Sequence, residues 1–241
     1  MTMPALAWTP ATQIAIAENA ASIAPPDLAR QIARHQKEFR RGLLAPFEGA
    51  RQAAHMKNPG GQGTLDHSVA NATQRAINAI AGHRSFTEIV FELGVVAHFV
   101  ADANNPLNSS DADPDEARYF TDYLRYVESA RERYPVVFYA DGRDLRDTND
   151  LKLLLTASLE RSRGHYPMIA SEYERIGQID GIGLFDDRST AFGIGSLAVS
   201  HAVSDIAAVL RYVWLEAGGG DRRLLRLTRP HAGSDRTLDS R

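Results

Sequence analysis

The sequence predicts a single all-helical domain, and three observations support that fold class. Apolar residues recur at helical spacing along most of the chain, and residues that typically begin or end helices bound these stretches. The only convincing strand-like run is Val136–Tyr139, and one strand does not make a sheet. No repeat or change of composition divides the 241 residues. We therefore expect the domain to cover 8–220, between a leader or signal remnant at 1–7 and a basic flexible tail at 221–241.

Proline and capping residues define the first two predicted helices. A Thr-Pro pair at 9–10 begins the first helix, because proline suits the first helical turn, and a proline pair at 25–26 ends it. Asp27 is expected to cap the second helix, which ends at Gly42. We predict a loop over 43–63, where prolines and glycines are frequent.

A buried central helix is predicted in the middle of the chain. It follows a helix over 64–81 and begins with Ser85 and Glu88, which match the S-x-x-E capping box. Residues 89–100 are apolar on nearly all sides, which is typical of a helix surrounded by others. An Asn-Asn-Pro stretch at 104–106 ends it.

The second half of the chain is predicted to be helical as well, with one glycine-rich interruption. The predicted elements are a helix between Asp113 and Pro135, helices near 149–163 and 167–177, a loop over 177–187, and a long helix from about Arg188 to Ala217.

Composition excludes several classes of function. The 27 basic and 30 acidic residues give a net charge of −3, so bulk charge does not indicate a nucleic-acid partner. The absence of cysteine excludes disulfides, iron–sulfur clusters and thiol catalysis, so a metal site must use the eight histidines and the carboxylates. No stretch of 18 residues is apolar and uncharged, so we predict no transmembrane segment. The sequence does not indicate an oligomeric state.

Two pairs of histidine and aspartate are the candidate site residues. His98 and Asp102 are four residues apart on the predicted central helix, so both side chains lie on one face. Burying such a pair is costly unless it is satisfied, either by a structural hydrogen bond or by a metal ion. His201 and Asp205 repeat this spacing on the last helix, and they would complete the site if the two helices pack together.

Residues 93–108 resemble the zinc-dependent phospholipase C family and the related fungal single-strand nucleases. The shared pattern is L-G-x-x-x-H-x-x-x-D-x-x-x-P-x-H, and this chain matches it up to its last position. The resemblance implies an all-helical fold of the phospholipase C and nuclease type. It also implies a metal-dependent phosphoester hydrolase with a phosphoester or phospholipid substrate.

The resemblance implies two further metal ligands near the N-terminus. His55 lies before a Pro-Gly turn, as a family ligand often does. His67, which we expect to be exposed, is the alternative candidate for this ligand. Trp8 follows Ala-Leu-Ala at 5–7, which is similar to a signal cleavage site; the amino group and carbonyl of the family's first tryptophan bind zinc. Cleavage there would make this an exported protein, and otherwise it is expected to be cytoplasmic.

Several positions depart from the family pattern. The positions of family ligands are occupied by Gln13, by Phe47 (with Glu48 next to it), by Asn108, and by Ala117 and Thr121. The family's three metals therefore lack most of their ligands here, and we expect fewer than three zinc ions, or none.

Two hypotheses follow from these residues. In the first, His55, His98 and Asp102 hold one zinc ion, a water is the nucleophile, and Glu48 or Asp205 acts as the base. If the two histidines share zinc, their nitrogens should lie roughly 3–4 Å apart. In the second, the chain is a catalytically degenerate relative that serves as a binding or structural protein.

Overall fold

The structure, a computed structural model, describes residues 8–49, 51–109, 116–139, 144–177 and 180–219. These residues form α-helices and short 3₁₀ turns with no β-strand among them, so the predicted all-helical class is confirmed. The α-helices are α1 Pro10–Ser22, α2 Pro26–Arg34, α3 Gln36–Gly49, α4 Leu65–Ala81, α5 Phe86–Ala103, α6 Glu116–Ala130, α7 Thr148–Ile176, α8 Gly181–Leu184 and α9 Thr190–Glu216. The 3₁₀ turns are Gln52–His55, Pro106–Asn108 and Arg131–Arg133.

Helix α5 is the centre of the domain, as the sequence predicts. Its N-terminus has the expected capping box, in which Glu88 N donates to Ser85 Oγ at 3.3 Å and Ser85 N donates to Glu88 Oε2 at 3.2 Å. Every residue from Leu93 to Ala103 is buried. Helices α1, α3, α4, α7 and α9 all pack on α5, which explains why its apolar residues occupy every side.

Two glycines allow α3 and α5 to cross closely. A Cβ atom on Gly94 would lie 2.7 Å from Leu43 N and closer still to Phe39 O. A Cβ atom on Gly42 would lie 2.7 Å from the carbonyl carbon of Phe91 and closer still to its oxygen. Both distances are too short for any side chain, so the two backbones meet only because these residues are glycines.

The predicted loop over 43–63 is wrong in its first part. Helix α3 continues to Gly49, and Pro46 lies inside it. Leu43 and Pro46 are both buried, so packing against the core offsets the hydrogen bond that proline cannot make. The sequence predicts one second helix that ends at Gly42, whereas the structure has two. Helix α2 ends at Arg34 and α3 begins at Gln36.

Proline also misled the prediction of two helices over 149–177. Helix α7 runs without a break through Pro167, since Tyr166, Ile169 and Tyr173 continue its buried face. The glycine-rich loop that follows contains the short helix α8, whose cap Asp180 accepts a hydrogen bond from Gly183 N.

The strand-like run Val136–Tyr139 forms no strand and is hydrogen-bonded to a helix. Val137 N donates to Ser200 Oγ at 3.1 Å, and Tyr139 N donates to Ser204 Oγ at 2.9 Å. Both serines lie on α9, so hydroxyl groups take the place of a neighbouring strand.

Helix α9 alone among the described helices is long and apolar enough to cross a membrane, judged by length and composition. Of its most apolar window, 72% is buried inside the domain, so these side chains serve as core. The absence of a transmembrane segment stays a prediction. The leader at 1–7, the tail at 221–241 and the helix start at Asp113 lie outside the described residues.

Candidate metal centre

The central helix and one 3₁₀ turn bring three candidate ligands together. His98 and Asp102 lie one turn apart on α5, and both are 0% exposed. His55 ends the turn Gln52–His55 and is 1% exposed. The segment after this turn is attached to the motif, because Lys57 N donates to Asn108 O at 2.9 Å.

The three side chains form a compact triangle of possible metal ligands. His55 Nδ1 lies 2.8 Å from Asp102 Oδ2 and 3.1 Å from His98 Nε2, and His98 Nε2 lies 3.2 Å from the same carboxylate oxygen. The separation of the two nitrogens confirms the expected spacing. A tetrahedral zinc site with bonds of about 2.0–2.1 Å would place its ligand atoms about 3.3 Å apart, close to the observed edges.

Hydrogen bonds to neighbouring groups orient His98 and Asp102. His98 Nδ1 donates to Leu43 O at 2.7 Å, and because a carbonyl only accepts, the proton of neutral His98 lies on Nδ1. The Nε2 lone pair therefore faces the carboxylate. Gln13 Nε2 donates to Asp102 Oδ1 at 3.0 Å, which leaves Oδ2 facing the imidazoles. With the proton of His55 on Nε2, three electron-rich atoms converge on one point and the group fits a cation. Outer hydrogen bonds of this kind are typical of metal sites.

Aromatic rings enclose the cluster. Phe47 meets the His98 ring edge-on with centroids 4.8 Å apart, and Phe99 lies 5.6 Å from the His55 ring. Phe47 occupies the position where the family pattern has an aspartate, so the structure puts a hydrocarbon against His98 in place of a carboxylate. This surface lowers the local dielectric and strengthens the attraction between the cluster and a cation.

Four candidate residues from the sequence have other surroundings. Trp8 is buried, and its indole Nε1 donates to Ala101 O at 3.0 Å, next to Asp102; its role as a main-chain ligand stays a prediction. Glu48 is exposed at the end of α3, and the alternative candidate His67 is exposed on α4. His201 is not in the cluster; its ring stacks on Tyr139 with centroids 4.3 Å apart.

Asp205 belongs to a second buried network. Its Oδ2 accepts hydrogen bonds from Arg161 Nη2 at 2.7 Å, Ser158 Oγ at 2.7 Å and Asn104 Nδ2 at 3.0 Å. Through Asp205 on α9, these bonds connect Asn104, which follows α5, with Ser158 and Arg161 on α7. The expectation that Asp205 and His201 complete the site with His98 and Asp102 is not met, because the cluster in the described residues consists of His55, His98 and Asp102.

Sequence reasoning missed the part that Gln13 plays, and it also missed a set of buried polar atoms near the cluster. The sequence shows Gln13 only as the residue at a family ligand position, whereas in the structure its amide orients Asp102. Asn108, another lost ligand, is 3% exposed. No local pattern marks these groups, since their surroundings come from distant segments. Buried atoms without a hydrogen-bond partner include Gln13 Oε1, His55 Nε2, Asn105 Nδ2, Asn108 Nδ2 and Ser109 Oγ.

The described residues form an all-helical domain with a buried His/His/Asp group that could bind a metal. Among solved structures, the chain is similar to the alpha toxin from Clostridium absonum, with a TM-score of 0.68 and 11% sequence identity. The similarity covers 90% of this chain and 68% of the toxin. No family model and no curated protein matches the sequence. At this identity, the similarity concerns the fold.

Proposed function

We propose that this protein is a metal-dependent phosphoester hydrolase of the phospholipase C type with a reduced site that holds one zinc ion. The observation that carries the proposal is the buried triangle of His55, His98 and Asp102, with edges of 2.8, 3.1 and 3.2 Å. Two imidazoles and a carboxylate are a donor set that zinc prefers in catalytic sites. The fold similarity and the pattern over 93–108 both support a phosphoester or phospholipid substrate.

Zinc in this position would polarise the phosphoryl group and lower the pKa of a water molecule that attacks it. The chain's own residues prepare the site. Leu43 O holds the His98 ring, and Gln13 holds the Asp102 carboxylate. Phe47 and Phe99 exclude water from one side of the two imidazoles. These contacts keep the ligand atoms in place before any ion arrives, which reduces the cost of binding.

Glu48 is the better of the two candidates for the base. It is exposed one residue after Phe47, whose ring contacts His98. Asp205 Oδ2 already accepts three hydrogen bonds, one of them from a guanidinium. These bonds occupy that oxygen and hold Asp205 outside the cluster, so it is poorly placed to take a proton from a water there. We therefore assign proton removal to Glu48.

The alternative of a degenerate scaffold is less favoured by the geometry. Without a metal ion, the cluster would need a proton on His55 Nδ1 to bridge Asp102 Oδ2 and the lone pair of His98 Nε2. A degenerate scaffold would have no need to keep three donor atoms within 3.2 Å of one another. The observed cluster instead retains its edges and its outer hydrogen bonds.

Metal analysis tests the proposal. Protein stripped with a chelator and dialysed against zinc should bind about one ion per chain, and less than about 0.2 would refute the proposal. His55→Ala and Asp102→Asn should each lower zinc occupancy strongly. His67→Ala is the matched control, because His67 is an exposed histidine on α4, and this variant should bind zinc like the wild type.

Activity tests the second half of the proposal. The zinc-loaded protein should hydrolyse a chromogenic phosphodiester and short-chain phospholipids, and it should lose this activity with a chelator. Glu48→Gln should lower kcat by about 10²-fold or more while zinc content stays unchanged, since a general base contributes about that much. Zinc binding without hydrolysis of any phosphoester would support a metal-binding scaffold in place of an enzyme.

A further inference from the structure

We propose that Gln13 limits this centre to a single cation by occupying the second oxygen of Asp102 with a hydrogen-bond donor. The inference rests on the proposed function, because it concerns the same metal site. It assigns to Gln13 the control of metal stoichiometry, which is separate from the catalysis itself.

The two oxygens of Asp102 have opposite surroundings. Oδ2 faces His55 Nδ1 at 2.8 Å and His98 Nε2 at 3.2 Å, where a cation fits. Oδ1 accepts a hydrogen bond from Gln13 Nε2 at 3.0 Å. A carboxylate that serves two metal ions offers one oxygen to each, with the ions about 3.5–4 Å apart. Here the second oxygen meets an amide NH₂ group, which has no lone pair to give a metal and whose hydrogens repel one.

The orientation of the Gln13 amide follows from its neighbours. Its Nε2 lies near two acceptors, Asp102 Oδ1 at 3.0 Å and His98 O at 3.5 Å. The reversed amide would put Oε1 against the carboxylate, and two acceptors would then repel each other. The preferred orientation leaves Oε1 buried without a partner, at the cost of its desolvation. The donor therefore faces Asp102 even though this leaves another atom unsatisfied.

The position of Gln13 is fixed by its helix. Gln13 is 0% exposed, and its backbone N–H donates to Thr9 O at 2.9 Å in the first turn of α1. Thr9 caps this turn through its side chain, which accepts from Thr12 N. No second group of three or more His, Asp and Glu ligands occurs within the described ranges, so these residues offer a second ion no ready set of ligands.

Counting bound zinc in Gln13 variants tests the inference. Gln13→Glu has the same length but replaces the donor with a carboxylate, so two acceptor groups would face each other and could bind a second cation. We expect about one zinc per chain in the wild type and about two in Gln13→Glu, measured by equilibrium dialysis and elemental analysis. Gln74→Glu is the matched control; Gln74 is exposed on α4, so the same charge change there should leave one zinc.

Each result has a distinct meaning. Two ions in Gln13→Glu with one in Gln74→Glu supports the inference. One ion in both the wild type and Gln13→Glu overturns the inference and leaves the proposed function standing. Two ions in the wild type overturn both the inference and the single-ion site of the proposed function. No zinc in the wild type overturns the proposed function as well. If circular dichroism shows that Gln13→Glu does not fold, Gln13→His provides a neutral ligand there, and the same count of two against one decides.

Discussion

Replacing Gly94 with alanine should destabilise the protein, although alanine favours helices. The added Cβ would lie 2.7 Å from Leu43 N and closer still to Phe39 O, and both are backbone atoms that cannot rotate away. Overpacking of this kind costs about 3 kcal/mol at the upper end of its usual range. Alanine recovers about 1 kcal/mol through its helix propensity. The expected net loss in the free energy of unfolding is therefore about 2 kcal/mol.

The measurement is urea unfolding of the metal-free protein, followed by circular dichroism. Gly164→Ala is the matched control, because Gly164 lies in the interior of α7 with nothing within 4 Å of an added Cβ. That variant should gain about 0.5–1 kcal/mol. Gly94→Ala should also bind zinc more weakly, because separating α3 from α5 moves Leu43 O away from the His98 ring that it orients.

A single outcome would refute this reasoning. If Gly94→Ala is as stable as Gly164→Ala, then α3 and α5 can separate at no cost, and the close crossing does not hold His98. An unchanged zinc affinity in a destabilised Gly94→Ala would retain the packing argument but reject the connection from Leu43 to the metal centre.

Two further predictions concern groups outside the metal cluster. Asp205→Ala should lower the free energy of unfolding by about 2–4 kcal/mol, because Arg161 and its fellow donors lose their common acceptor; zinc binding should persist, and its loss would show that the two networks are coupled. Burial, with a smaller effect of Arg161, lowers the pKa of His165. As the pH falls through about 6.5, the unfolded chain gains a proton that folded His165 resists, so stability should fall. His165→Gln should reduce this fall between pH 7.5 and 5.5 in urea titrations with chelator; a slope equal to that of the wild type would contradict the assignment.

Features with a local cause could be predicted from the sequence. The capping box of Ser85 and Glu88 and the apolar run that follows it define α5 without reference to other segments. Proline was less reliable, because Pro46 and Pro167 are accommodated inside helices whose buried faces continue past them. Packing against other segments stabilises these helices past their prolines, and the local sequence pattern does not include that contribution.

The His55/His98/Asp102 cluster could be predicted only in part. His98 and Asp102 share a helix face by spacing alone, whereas His55 was found through the resemblance to a family. The partnership of Gln13 with Asp102 spans 89 residues, and no local pattern reports it. The same limit applies to Asp205. Its spacing from His201 suggested a metal ligand, but its carboxylate accepts hydrogen bonds from Asn104 and Ser158.

The origin of the three ligands also connects metal binding to folding. His55 and His98 are 43 residues apart in the chain and meet only when the turn Gln52–His55 lies against α5. The unfolded chain cannot present this triangle, so zinc at 100 times its Kd would stabilise the native state by about 2.7 kcal/mol. The melting temperature would then rise with the free zinc concentration. Bound zinc would stabilise the fold whether or not a substrate is present.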